Sequence, residues 1–311
     1  MYYKTLSLFC LLLLFIISCQ NSNKPNIKLV SYPAPTDSAL VFWEGIISTD
    51  AFEFAITFSP QMDELFFTRR KPAADNEIYT SKLIDGTWTT PKSVFFSPDE
   101  GWDFEPHINP IGDKLYFGSV RPHPDTLYPG GLYQWVSEKT ASGWSEPEPL
   151  EAPFDNRFVM YLTSSATRNL YFTSMEEDAK MEDGGIYYSR AEGEDYKEVS
   201  RMGNAINFQG KWIAHPYIAP DESYIIYDGE KDSGFGENDL YISFKINGNW
   251  SEAYNLGAEI NTELTEMCAS VSPDGKYLFF HRGDDESGNI YWIDFSPIKE
   301  RLLKNIRDRQ P

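Results

Sequence analysis

The stretch from Glu266 to Asp294, EMCASVSPDGKYLFFHRGDDESGNIYWID, contains the repeating unit on which the fold depends. It predicts a strand, a tight turn, a second strand, a polar loop and a third strand. The turn, Ser272 to Gly275, is typical of type I, because proline presets φ at its second position and glycine is favoured at its fourth. The β-branched and aromatic residues at 277–280 and 290–293 favour strands. The unit is therefore all-β.

Four weaker copies of this unit precede it. The turn position of Pro273 corresponds to Pro60, Pro110, Ser165 and Pro220, so the copies are spaced 50 to 55 residues apart. A further turn followed by an aromatic residue occurs after each of the first four copies, at Trp88, Trp144, Tyr196 and Trp250. The fifth copy lacks it. A period near fifty residues with about four strands per unit is typical of β-propeller blades.

The N-terminal segment is a candidate for the strand that the fifth copy lacks. Residues 46–49 before Phe52 parallel residues 259–262 before Thr265. We therefore expect this segment to complete the last blade and to close the ring, which removes exposed sheet edges. The sequence predicts an all-β propeller of five four-stranded blades over residues 27–295, closed by an N-terminal strand. Six blades are the alternative, if residues 27–50 pair with more of the chain.

The C-terminal tail, residues 296–311, follows the last repeat. Ile298, Leu302, Leu303 and Ile306 stand at helical spacing with basic residues between them, which predicts a short amphipathic helix. Four apolar residues bury little area, so we expect the helix to seal one face of the propeller and not to contact a membrane.

Two stretches of the repeat resemble a known family. SPDGKYLFF at 272–280 and IYW at 290–292, with weaker forms in the other copies, resemble the WD40-like (PD40) repeats of TolB-type propellers. Residues 247–266, NGNWSEAYNLGAEINTELTE, resemble the segment that joins such repeats in many envelope lipoproteins. The resemblance covers roughly residues 53–294 and implies a TolB-like propeller. Kelch repeats are disfavoured, because only residues 130–131 and 184–185 supply their glycine pair.

The N-terminus is typical of an export signal. Lys4 precedes an apolar run at residues 6–17, which is too short to span a membrane. Residues 16–19, Ile-Ile-Ser-Cys, resemble the bacterial lipoprotein signal box. This implies a signal peptide at residues 1–18, a lipidated Cys19, and a polar tether over residues 19–26. An ordinary secretory signal is the alternative. No aspartate follows Cys19, which by analogy implies attachment to the outer membrane.

Charge and cysteine content restrict the partners. The formal net charge is -20, which argues against nucleic acid and anionic lipid surfaces as partners. Membrane contact is therefore expected through the N-terminal lipid only. Cys268 is the single thiol that the predicted mature chain retains beyond Cys19, so no intramolecular disulfide supports the fold.

Propellers place ligand sites at the mouth of the central channel, where the inner strands begin. Counting back five residues from each turn position gives one column: Ala55, Glu105, Met160, His215 and Cys268. A carboxylate, an imidazole and a thiolate from Glu105, His215 and Cys268 form a set that can bind zinc if the three converge. A polar channel filled with water is the alternative. No cofactor is expected besides this candidate divalent cation.

Glu53, Asp103 and Glu266 lie two residues before that column. Paired carboxylates at glycosidase separation perform acid–base hydrolysis, but their recurrence in the repeat favours a structural role. We therefore predict a lipid-anchored propeller of the cell envelope that binds a protein or a glycan without catalysis. The alternatives are a glycoside hydrolase-like enzyme that uses these carboxylates and a purely architectural subunit.

Overall fold

The computed structural model describes residues 35, 37–97, 102–123, 131–176, 179–208, 210–284 and 286–308. The predicted signal peptide, the lipidation site Cys19 and the tether lie outside the described residues. Within the described part of the chain, strands predominate and the single α-helix is at the C-terminus. No described helix has the length and apolar character needed to cross a membrane.

The strands are numbered in chain order. The first thirteen are β1 (Leu40–Val41), β2 (Phe52–Phe58), β3 (Glu64–Arg70), β4 (Asn76–Ile84), β5 (Thr87–Trp88), β6 (Lys92–Ser93), β7 (Asp103–Ile108), β8 (Lys114–Ser119), β9 (Tyr133–Thr140), β10 (Gly143–Trp144), β11 (Glu148–Pro149), β12 (Met160–Ser164) and β13 (Leu170–Ser174). The remainder are β14 (Gly185–Ser189), β15 (Ala191–Glu192), β16 (Asp195–Tyr196), β17 (Ser200–Arg201), β18 (Lys211–Ile218), β19 (Tyr224–Glu230), β20 (Asp239–Ile246), β21 (Asn249–Trp250), β22 (Tyr254–Asn255), β23 (Thr265–Val271), β24 (Tyr277–Gly283) and β25 (Gly288–Asp294). The helix α1 spans Ser296–Asp308, and a 3₁₀ turn spans Met181–Asp183.

These strands form five antiparallel blades, and one parallel pair, Phe52 opposite Gly288, connects blades 1 and 5. Blade 1 contains β2–β6, blade 2 β7–β11, blade 3 β12–β17 and blade 4 β18–β22, while blade 5 contains β23–β25 and β1. The inner strands contact one another in the closed cycle β2, β7, β12, β18, β23 and back to β2. The described residues therefore confirm the predicted five-bladed propeller and contain no sixth blade.

The N-terminal strand β1 completes blade 5, as the sequence predicts. Leu40 lies opposite Trp292 and Val41 opposite Tyr291 in an antiparallel pair with β25. The pairing continues one residue further, where the Phe42 N–H donates to the Ile290 carbonyl at 2.8 Å. The outer edge of β25 is thus covered, which removes a site for edge-to-edge association.

The turn between the first two strands has the same hydrogen bonding in blades 1, 2, 4 and 5. In blade 5 the Gly275 N–H donates to the Ser272 carbonyl at 2.7 Å, and the Ser272 N–H donates to the Tyr277 carbonyl five residues later. In blade 3 the Ser165 N–H instead reaches the Asn169 carbonyl, only four residues later. The turn of blade 3 is therefore one residue shorter than the others.

The C-terminal helix α1 packs on blades 4 and 5. Its buried residues Ile298, Leu302 and Ile306 join Leu256 and Ile260 in the apolar cluster between these blades. Each such side chain contributes about 1.5–3 kcal/mol when fully buried. The helix therefore covers the apolar seam between two blades.

Candidate functional site

Each inner strand has a left-handed residue at an equivalent position, with φ between 47° and 56°, and β18 has a second one at Trp212. The equivalent residues are Ala55, Glu105, Tyr161, His215 and Cys268. Each lies where the register of the inner strand shifts by a β-bulge, a device that redirects a side chain. The predicted column is thus correct in four blades. In blade 3 it contains Tyr161 and not Met160, because the short turn shifts the alignment by one residue.

Side chains of the second strands fix these bulges across the blade boundaries. Three bulge N–H groups donate to a side chain of the preceding blade: Glu105 to Thr68 Oγ1 (2.8 Å), His215 to Thr173 Oγ1 (2.9 Å) and Cys268 to Asp228 Oδ1 (3.2 Å). Gly118 holds the equivalent position in blade 2 and has no side chain to offer. There the Tyr161 N–H donates to Glu105 Oε2 at 2.7 Å.

Three of the predicted site residues meet on the propeller axis. One donor atom each from Glu105, His215 and Cys268 lies within 4.8 Å of the other two, although the residues come from blades 2, 4 and 5. His215 Nε2 is 3.6 Å from Glu105 Oε1. The Tyr161 hydroxyl crosses from blade 3 to donate to the Ala269 carbonyl at 2.7 Å. We call Glu105, His215 and Cys268 the axial cluster.

Asp228 is the partner that the sequence analysis missed. Its carboxylate is fully buried and accepts from His215 Nδ1, at 2.9 Å to one oxygen and 3.0 Å to the other. The repeat itself does indicate the position of Asp228. Counting three residues on from the leucine or isoleucine column of each second strand gives Thr68, Gly118, Thr173, Asp228 and His281.

Burial and the close carboxylates shift the titration of the axial cluster. Burial raises the pKa of Glu105 to about 7, although His215 opposes this shift. Burial alone lowers the pKa of His215, but the Asp228 carboxylate outweighs it and holds this pKa well above its usual value. Burial also raises the pKa of the Cys268 thiol to about 12. At neutral pH and without a cation, the Cys268 thiol is therefore neutral, and the Asp228 carboxylate favours the protonated form of His215.

The other predicted carboxylates lie away from this cluster, each held by an arginine. Glu53 pairs with Arg69 (2.7 Å), Asp103 with Arg121 (2.5 Å) and Glu266 with Arg282 (2.8 Å). The same guanidinium groups donate to carbonyls of the linker before the inner strand, at Ile46 and Ile47, at Phe96 and at Ile260. We call these pairs the arginine clasps. They fasten the linkers before blades 1, 2 and 5 to an arginine at or just beyond the end of the second strand, which is the structural role that their recurrence favours.

A cavity of about 750 Å³ lies at the face of the propeller where the inner strands begin. Its lining includes Phe52, Met160, Trp212 and Met267 together with His215 and His281. The arginine-clasp carboxylates are not among the residues that line it. His215 thus connects the cavity to the axial cluster.

His281 is buried at this cavity. Its Nδ1–H donates to the Glu53 carbonyl at 2.8 Å, while Nε2 is buried with no hydrogen-bond partner among the described residues. Burial lowers the pKa of His281 to about 4, so the ring is neutral at pH 7. An unpartnered buried nitrogen beside a cavity favours a ligand that supplies a hydrogen bond.

His107 does not line the cavity, and its titration tests whether the imidazole is buried in its neutral form. Its Nε2 accepts the Ser164 N–H at 3.0 Å, and burial lowers its pKa to about 3. The pKa of histidine in an unfolded chain is about 6.5. Between pH 6.5 and about 3, the unfolded state therefore binds more protons than the folded state, and stability falls as the pH falls. We expect this group to reduce the free energy of unfolding by roughly 1.4 kcal/mol per pH unit from pH 6 to 4.

Urea unfolding of the wild type and of His107→Gln over this pH range measures the effect. The variant should lose this part of the pH dependence whatever its stability at pH 7. Equal slopes for the two proteins would contradict the assignment of a buried neutral imidazole.

Comparison with known proteins identifies the fold. No family model and no curated protein matches the chain significantly. TolB from Acinetobacter baumannii aligns with a TM-score of 0.51 at 14% identity, over 79% of this chain and 52% of TolB, so the chain spans about half of that protein. A putative TolB from Agrobacterium tumefaciens aligns with a TM-score of 0.51 at 12% identity, over 78% of this chain and 77% of its own.

An enzyme shares the fold equally well. The endo-arabinase from Bacteroides thetaiotaomicron aligns with a TM-score of 0.52 at 12% identity, over 85% of this chain and 97% of its own. At such identities a likeness does not choose between binding and catalysis. The chain is therefore a β-propeller similar in fold to TolB, and the likeness extends to the fold alone.

Proposed function

We propose that the chain is a binding protein of the bacterial cell envelope, anchored through lipid at Cys19, whose cavity holds a segment of another envelope protein. The cavity carries this proposal. Its volume of about 750 Å³ is typical of ligand sites, which measure roughly 300–1,000 Å³ and combine apolar walls with a few polar groups.

The walls favour a peptide. Met160, Met181 and Met267 line the cavity, and methionine side chains adapt to varied apolar partners. Trp212 lies at the cavity with 41% of its surface exposed, which suits an anchor for a partner side chain.

Stacking of a sugar ring has less support, because Phe52 is buried and its ring is covered by neighbouring side chains. The Arg70 guanidinium lies 4.4 Å from the Phe52 ring centroid, and the His281 ring also packs against Phe52 with centroids 4.4 Å apart. Phe54 also lines the cavity but is only 6% exposed, so Trp212, at 41%, is the aromatic side chain of the lining that is most open to a sugar ring.

The charges favour a basic side chain on the bound segment. Glu230, Glu237 and Asp284 line the cavity, whereas Arg70 is the only arginine or lysine among the described residues of the lining. A cationic partner also suits the net charge of -20, because complementary potentials accelerate encounter.

A glycoside hydrolase-like activity receives no comparable support. Such an enzyme needs two carboxyl groups on either side of one glycosidic bond. Glu53, Asp103 and Glu266 are each at most 1% exposed, are paired with arginine, and are not part of the cavity lining. Binding is therefore favoured over an enzyme that uses these three carboxylates.

Cross-linking in intact cells, followed by mass spectrometry of the captured proteins, tests the proposal. We expect reproducible protein partners, and we expect Trp212→Ala to reduce their capture by roughly tenfold or more, as for an interface hot spot. Phe95→Ala is the matched control, because Phe95 is 63% exposed and does not line the cavity.

Two outcomes would overturn this function. Capture that Trp212→Ala leaves unchanged would remove the cavity from the interface, and capture of glycan with its cleavage in vitro would favour the enzyme. In the same cells, Cys19→Ser should move the protein from the membrane fraction to the soluble fraction. Retention at the membrane would remove the lipid anchor from the proposal.

A further inference from the structure

We infer that the axial cluster of Glu105, His215 and Cys268 binds a zinc-like divalent metal ion on the axis of the propeller. The inference goes beyond the proposed function, because the site stands whether or not the cavity takes a protein segment. Its ligands come from blades 2, 4 and 5, so the ion would join three parts of the ring.

The separations suit a tetrahedral ion. Bond lengths to zinc of about 2.0 Å for nitrogen or oxygen and 2.3 Å for sulfur place its donor atoms roughly 3.3–3.7 Å apart. His215 Nε2 and Glu105 Oε1 are 3.6 Å apart, and the three donor atoms lie within 4.8 Å of one another. Small side-chain rotations therefore suffice to close the site.

Asp228 orients the imidazole as metal sites require. A metal-binding histidine usually donates its other ring N–H to a carboxylate, which fixes the tautomer. His215 Nδ1 contacts both oxygens of Asp228, leaving Nε2 toward Glu105. The same carboxylate accepts the backbone N–H of Cys268. One buried group thus positions two of the three ligands.

The backbone at these positions does not require these residue types. Ala55 and Tyr161 occupy the same left-handed bulge in blades 1 and 3. Glu105 caps the Tyr161 N–H with Oε2, which leaves Oε1 toward His215. The repeat geometry therefore accounts for the backbone and for one carboxylate oxygen, but not for an imidazole and a thiol beside the other oxygen.

Charge and ligand type select the ion. A thiolate and a carboxylate together neutralise a divalent cation, which removes the cost of burying either anion alone. Mixed sulfur, nitrogen and oxygen ligands favour zinc over calcium or magnesium, which prefer oxygen alone. Three protein ligands leave a fourth position for water.

Cobalt substitution tests the site in the full-length chain after metal has been stripped with EDTA. We expect Co²⁺ to produce a thiolate-to-cobalt charge-transfer absorption that Zn²⁺ abolishes. Zinc at 100 times its Kd should raise the Tm by roughly 5 °C or more. Cys268→Ser should lose the absorption, and Asp228→Asn should keep it while zinc binds about 10–100-fold more weakly.

Three control variants complete the design. Cys19→Ser and His107→Gln should bind cobalt as the wild type does, because neither residue belongs to the axial cluster. If Cys268→Ser does not fold, Glu105→Gln keeps the thiol and should weaken zinc binding with the absorption retained. A folded wild type without the absorption, or an absorption that persists in Cys268→Ser, would overturn the site. Neither the cobalt absorption nor the rise in Tm requires a bound partner protein, so partner capture and metal binding can fail independently.

Discussion

Replacing Phe42 by alanine is expected to lower the free energy of unfolding by about 3–5 kcal/mol. Phe42 follows the closing strand β1 and is fully buried. Its ring lies against Phe279 and Trp292 of blade 5, with centroids 5.0 and 5.5 Å away. Truncation would therefore leave a cavity at the seam where the two ends of the propeller join.

Leu40→Ala is the matched control for this prediction. Leu40 belongs to β1 itself and its backbone pairs with Trp292, but 46% of its surface is exposed. Its truncation should change stability by about 0.5 kcal/mol or less. Urea unfolding followed by tryptophan fluorescence measures both variants. Equal effects would show that Phe42 does not anchor the closing strand.

Arg282→Ala is expected to destabilise the protein by about 3–5 kcal/mol, because it leaves the Glu266 carboxylate buried without its counter-ion. The Glu266 carboxylate has no exposed surface, and Arg282 also donates to the Ile260 carbonyl of the preceding linker. The variant therefore breaks both the ion pair and the attachment of the linker to blade 5.

An exposed ion pair supplies the control. Arg301 lies 2.6 Å from Glu259, and both side chains are more than one third exposed. Arg301→Ala should cost about 0–1 kcal/mol. Adding Glu266→Gln to Arg282→Ala should recover part of the loss, since the buried charge is then gone. Chemical denaturation gives all the values, and no recovery in the double variant would contradict the electrostatic account.

The repeat pattern was sufficient to predict the ring, because the turn and the strand after it recur at nearly constant spacing. The same alignment predicted that Glu105, His215 and Cys268 hold equivalent positions, since four of the five turns have equal length. It failed at Met160, because the turn after Ser165 lacks one residue and shifts the inner strand. A single deletion changes which side chain faces the axis when strands alternate.

Asp228 illustrates what a search along one strand misses. The candidate residues came from the inner strands alone, whereas Asp228 lies on β19 and reaches the axis across a blade boundary. Whether equivalent positions are close enough to share a ligand depends on the radius of the ring, which spacing along the chain does not contain. The arginine clasps were predicted only as structural carboxylates, because the arginine lies on the neighbouring strand.

The pairing of residue 40 with residue 292 joins the two ends of the domain. Contacts so distant in sequence form slowly, because a long loop must close before they stabilise anything. We therefore expect ring closure to be a late step of folding, after the hairpins within each blade have formed. Until then, the backbones of β1 and of the outer edge of β25 both lack their partner.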